Sequence, residues 1–303
     1  MEKINFLERP TNPEDHGWYQ KCAEIEEYRN FYFPIWERNQ KLLDTNFIQH
    51  VKKDPYSRFY ELYILDNLQK GSFEFKEKNK NEKGPDFITR DNKVAFECIA
   101  PSIAEDYEPP SENKFIIINN DLKKLRITQA LSTKIIDIDK EHPSQFHKWK
   151  TQNEFEGAFV ICISGSKLQN GENPNKISNT RSALEYGIID YGDLGTTDDP
   201  IAQVLYGYLP KLVVEPSDNP TKPFDFILSL ERNIFKDGKP HDINGIFRRE
   251  EFLELSAVIF TPYDGIQMIS ENKKSFLYPN PNAKVKLTKE IEFCTPFYLS
   301  NNG

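Results

Sequence analysis

The chain has 303 residues, 38% of them hydrophobic, 13% aromatic and 28% charged, with a net charge of −8. That length is enough for one or two domains with a sizeable core, and the aromatic content excludes disorder throughout. The acidic balance excludes broad, non-specific attraction to nucleic acid and leaves only a local basic surface for such a partner.

The N-terminal stretch MEKINFLERPTNPEDHG lacks the apolar core of a secretory signal, and no run approaches the roughly 18 apolar residues of a membrane span. Cys22, Cys98, Cys162 and Cys294 are far apart, with no C-x-x-C spacing. They read as reduced thiols of a cytoplasmic protein without a membrane partner. Residues 15–50 carry scattered aromatic and apolar residues and read as helical, with Pro34 interrupting or beginning a helix. Ser57 is placed to cap the next helix and Gly71 to end it. Phe59, Leu62, Tyr63, Leu65 and Leu68 form its apolar stripe. SFEFKEKNKNEK starts as a short strand and becomes a lysine-rich loop.

GPDFITRDNKVAFECIAPS (84–102) reads as two strands around Asp91-Asn92. KFIIINN is a short strand, and DLKKLRITQALSTKIIDIDKE a helix closed off near Pro143. FEGAFVICISGS is a nearly continuous apolar run, as in a strand buried on both faces. Farther on, RSALEYGIIDYGDLGTTDDP carries loop signals and QVLYGYLPKLVV a short helix or strand. KPFDFILSL, FLELSAVIFTPYDGIQMI and KKSFLYPNPNAKVKL add strands joined by turns. The order predicts an α/β core with a mixed central sheet flanked by helices. Residues 1–55 form an N-terminal helical extension packed on a domain over 56–303.

Within the hairpin, a two-residue loop at Asp91-Asn92 sets Phe87 opposite Phe96 and Asp86 opposite Glu97. The phenylalanines then share a core side with Val94 and Cys98, and the two carboxylates share the other. Opposed residues have Cβ atoms roughly 4.5–5.5 Å apart, and like charges at that spacing destabilise a sheet. A basic side chain, a shared proton or a cation must compensate. Mg²⁺ fits, being commonly held by one or two carboxylates and water. The bland alternative is a surface hairpin with solvated charge. Against it, Ile99 and Ala100 follow Glu97, and Glu61 lies on the preceding helix beside Leu62.

A helical Glu, then Gly-Pro-Asp on one strand and Glu on the next, resembles the PD-(D/E)XK nuclease superfamily over roughly residues 57–165, and SAVIF and NPNA look like an uncharacterised bacterial branch of it. The resemblance implies a restriction-endonuclease-like core and a metal-dependent phosphodiesterase acting on nucleic acid, DNA before RNA. It implies Mg²⁺ (or Mn²⁺) held by Asp86 and Glu97, with Glu61 binding directly or through water. The family's lysine two residues after the acid is here Ile99, which can neither orient water nor stabilise negative charge. Lys134, on the helix after the hairpin, is the substitute. Arg126 shares a broad face of that helix, and with Gln129 is placed to meet substrate. Lys76, Lys78, Lys80 and Lys83 are the loop alternatives. Two other readings stand beside this one: a catalytically degenerate nuclease fold serving as a binding module, and an unrelated α/β protein with a structural carboxylate network.

No zinc spacing, phosphate loop, calcium loop or nucleophile elbow competes; His142 and His147 straddle Pro143 without further ligands.

Overall fold

The computed structural model describes residues 15–78, 84–102, 120–137, 143–169, 246–262 and 275–296, together with 201, 204–205 and the strands at 211–216, 224–229, 233–236 and 239–242. Residues 114–119 of the predicted strand KFIIINN, the loop segment 181–200 and the lysines Lys80 and Lys83 lie outside them.

At the centre is a six-stranded mixed sheet flanked by helices. Its strands, in spatial order, are β1 (Phe87–Ile88), β2 (Val94–Ile99), β3 (Ala158–Ser164), β8 (Leu255–Thr261), β9 (Ser275–Pro279) and β10 (Cys294–Pro296). β2, β3 and β8 run parallel, while β1 and β9 are antiparallel to their inner neighbours. β4 (Lys211–Pro216) pairs with β5 (Phe224–Ser229), and β6 (Asn233–Lys236) with β7 (Lys239–Asp242), as separate two-stranded ribbons.

Strand alternation sorts the sheet into two cores. Val94, Phe96, Val160, Cys162, Ala257 and Ile259 face one side; Ala95, Ile99, Phe159, Ile161, Val258 and Phe260 face the other. The first side is covered by α4 (Pro55–Lys70), itself wrapped by α1 (Gly17–Glu24), α2 (Glu26–Asn39) and α3 (Phe47–Lys53). The N-terminal helices therefore share a continuous hydrophobic cluster with the sheet. The second side is covered by α5 (Asn120–Ile135), through Ile127, Leu131 and Ile135, and by α6 (Gln145–Gln152), through Phe146 and Trp149. A four-residue α7 (Ser166–Gln169) follows β3. No helix among the described residues is long and apolar enough to cross a membrane.

Four local expectations change. Pro34 neither begins nor interrupts a helix; it lies inside α2. Both Pro34 and Asn30, whose carbonyl loses its partner, are exposed, so water can satisfy that oxygen while Tyr28, Tyr32 and Ile35 hold the buried face. The cap of α4 is Asp54 rather than Ser57. Its carboxylate accepts from the Ser57 N–H at 3.3 Å and the Ser57 hydroxyl at 2.7 Å, and Pro55 fills the first helical position. The apolar surface of α4 is no stripe: Tyr60, Glu61, Ile64 and Asp66 are buried with the predicted residues, because helices cover its far side. The helix α5 ends at Ile135, well before Pro143, and the unpredicted α6 starts at the Ser144 cap.

Candidate metal-binding and catalytic site

The predicted hairpin register is present: Phe87 pairs with Phe96 and Ile88 with Ala95. The turn differs from the two-residue loop. The Thr89 N–H reaches the Val94 carbonyl at 2.9 Å, leaving a loop of residues 90–93. Asn92 takes a left-handed φ of 61° there, and the Asp91 carboxylate accepts from the Lys93 N–H and the Thr89 hydroxyl. Both loops are symmetric about the same centre, so the pairing is unchanged.

β1 is only two residues long, which leaves the last part of β2 without a strand on its outer side. Asp86 takes up that edge, its Oδ2 accepting from the Cys98 N–H at 2.7 Å. The carboxylate stands in for a ladder acceptor and is fixed beside β2 as a result. Gly84 and Pro85 lead into it. Gly84 has φ +153°, and a Cβ there would lie 2.5 Å from the Trp149 ring. Bare backbone is required, so α6 seats the segment that carries Asp86. The sequence reading missed Trp149; its signal is the Gly-Pro-Asp glycine itself.

Glu97, between Ala95 and Ile99, points to the α5 side and meets the Lys134 ammonium in a close ion pair. Their side chains are 13% and 31% exposed. Burial, then the charge of Asp86, pushes the Glu97 carboxyl up to about 7 in spite of Lys134. Glu97 and Asp86 both raise the Lys134 pKa against its own desolvation.

Glu61 is buried in α4. Its Oε2 accepts from Arg58 Nη1 at 2.6 Å, and Arg58 also meets Asp44 at 3.2 Å. Its Oε1 is buried without a hydrogen-bond partner. Burial and then the Asp86 charge push this carboxyl up to about 8. Asp86 thus acts on both glutamates, which approach from opposite sides of the sheet. The lysine position of the family pattern, Ile99, is 8% exposed within the second core.

Arg126 and Gln129 are joined to each other on α5, Nη1 to Oε1 at 3.0 Å, and neither bonds to the three acids. Arg126 Nε is buried without a partner. Lys78, one of the loop lysines, lies 3.9 Å from Asp86 Oδ1. Lys76 is engaged elsewhere, by Asn92.

Among the described residues, no group of three or more His, Cys, Asp or Glu side chains is gathered as a metal site. The pair Asp86 and Glu97 still suits a hard cation: all the donors are oxygens, the Asp86 charge raises the proton affinity of Glu97, and Mg²⁺ commonly takes one or two carboxylates with water. The orphaned Glu61 oxygen is a further acceptor nearby. The four cysteines are free thiols. No family model matches the chain, and neither a search of curated proteins nor one of solved structures finds a match.

Proposed function

We propose that this protein is a Mg²⁺-dependent phosphodiesterase of the PD-(D/E)XK type, with a restriction-endonuclease-like core, that hydrolyses nucleic acid, DNA before RNA. The observation that carries the reading is the Lys134 ammonium seated on Glu97, across the hairpin from Asp86. A helix supplies the positive charge that Ile99 cannot, to the same carboxylate that precedes Ile99.

In this reading Asp86 and Glu97 hold the cation, with Glu61 behind them on the α4 side. When bound, the ion lowers the pKa of a coordinated water and offsets charge on the phosphoryl oxygens. The protein's own groups do the rest. The Cys98 amide fixes the aim of Asp86. Lys134 orients Glu97 and places positive charge where the pentavalent transition state gains negative charge. The water oxygen bonds to phosphorus and the ester P–O bond breaks. The water's proton leaves to solvent, and the departing oxygen takes one from solvent. Free thiols suit a reducing cytoplasm.

A second reading, a nuclease scaffold retained for binding, is favoured by the burial of Ile99 and by the closeness of the Lys134–Glu97 pair. Incubation with single- and double-stranded DNA and RNA under Mn²⁺ separates the two. Cleavage by the wild type that is lost in Glu97→Gln supports the enzyme; binding without turnover supports the scaffold.

A further inference from the structure

The segment before the motif contains a lysine, Lys78, that is largely buried beside the acids of the site. Residues 73–76 run beside β1 in strand-like alternation: Phe73 and Phe75 are buried, Glu74 and Lys76 exposed. The Lys76 N–H reaches the Ile88 carbonyl at 2.9 Å, and the Arg90 N–H reaches the Glu74 carbonyl at 2.8 Å. Alternation then breaks. Glu77 turns outward to Lys41 at 3.0 Å, and the Lys78 N–H leaves β1 for the Lys41 carbonyl at 2.9 Å. That change of partner turns the Lys78 side chain inward, to 17% exposure, at 3.9 Å from Asp86.

Burying an ammonium is unfavourable unless acids compensate for lost water. Here the acids are those of the candidate site. The other two cations around them are committed: Arg58 donates to Glu61 and also meets Asp44, and Lys134 donates to Glu97. Lys78 is not. At 3.9 Å it is attracted to Asp86 without a hydrogen bond, and its ammonium donates to no described residue. Its charge also favours the ionised forms of both Glu61 and Glu97. Lys78 is thus a positive side chain that acts on Asp86, Glu61 and Glu97 alike, with donors to spare.

We propose that Lys78 is a second catalytic cation, which balances the acids in the free protein and donates to a non-bridging oxygen of the substrate phosphodiester during hydrolysis. This rests on the phosphodiesterase reading above. It extends that reading by assigning a phosphate contact to a segment outside the hairpin and α5. Lys78 moves no proton; it stabilises charge as the phosphoryl group becomes pentavalent.

The test is single-turnover cleavage of a labelled DNA with Mn²⁺, using wild type, Lys78→Met, Lys78→Arg and Lys76→Met, with Mn²⁺ titration calorimetry and circular dichroism on each. Lys78→Met should slow cleavage by about 10²-fold, on the order of losing one oxyanion donor, while remaining folded and binding Mn²⁺ at least as tightly as wild type. Lys78→Arg should recover most of the rate, and Lys76→Met should match wild type. Wild-type cleavage by Lys78→Met, or loss of its fold or of its Mn²⁺ binding, overturns the assignment of Lys78 alone. A wild type that neither binds Mn²⁺ nor cleaves overturns the phosphodiesterase reading, and this inference with it.

Discussion

β2 and β3 are neighbours in register, Glu97 beside Ile161 and Cys98 beside Cys162, yet only one of them carries charge. β3 has parallel partners along both edges, and all seven of its residues are buried. β2 has β3 on one side and, on the other, a strand that stops at Phe87. Past that point the outer edge of β2 is open, an amide is free to be taken by Asp86, and a carboxylate can lie beside the core without being sealed into it. The sheet tolerates an acid where it loses a strand. A carboxylate therefore sits at a position prepared by what the fold leaves out.

Moving charge inward by one strand breaks this comparison most severely. Ile161→Glu places a carboxylate between Glu97 and Val258, in a fully buried strand beside an acid that already engages Lys134, at a cost of several kcal/mol. The expected outcome is loss of a cooperative thermal transition by circular dichroism. The reverse exchange, Glu97→Ile, gives β2 the chemistry of β3. It removes an acid crowded by Asp86 and leaves only the partly exposed Lys134 unpaired, so stability to urea should change by no more than about 1 kcal/mol while Mn²⁺ binding disappears.

Gly84→Ala tests how the open edge is held. A methyl group driven against Trp149 at a left-handed φ should cost about 1–3 kcal/mol in urea unfolding and weaken Mn²⁺ binding by displacing Asp86. An alanine variant that matches wild type in both would show that α6 does not set the position of Asp86.

The remaining effect is a slope. The folded-state pKa values of Glu97 and Glu61, about 7 and about 8, lie above the ordinary carboxyl value of 4.5, so the folded chain retains protons that the unfolded chain has released. Their contribution to stability is full below about pH 4.5 and is lost as pH rises through about 7 to 8. Melting temperature should therefore fall between about pH 5 and pH 8. Glu61→Gln with Glu97→Gln should flatten that fall, and in the wild type saturating Mg²⁺ should flatten it too, by favouring the ionised acids.

How much of this was legible varied with the range of the interaction that decides it. β3 and the hairpin register followed from local pattern: an unbroken apolar run, and two phenylalanines at matched distances from Asp91-Asn92. The contact of Lys134 with Glu97 followed from the helix after the hairpin lying on the carboxylate's face. Pro34 inside α2 was not legible, since its tolerance depends on that side of the helix being exposed. The seating of Gly84 on Trp149 joins residues 65 positions apart, on a helix that the sequence did not show. Arg58 beside Glu61 was within local reach, at helical i, i+3 spacing, but its pull on Asp44 was not. Lys78 was one lysine among several until the backbone at Glu77 left β1.

The central claim is that Asp86 and Glu97 together take up a divalent cation. Titration calorimetry with Mn²⁺ on the wild type and on Asp86→Asn with Glu97→Gln tests it most directly. The account predicts a saturable binding isotherm for the wild type and only the heat of dilution for the double variant. Matching isotherms for the two proteins, or none for either, would contradict it.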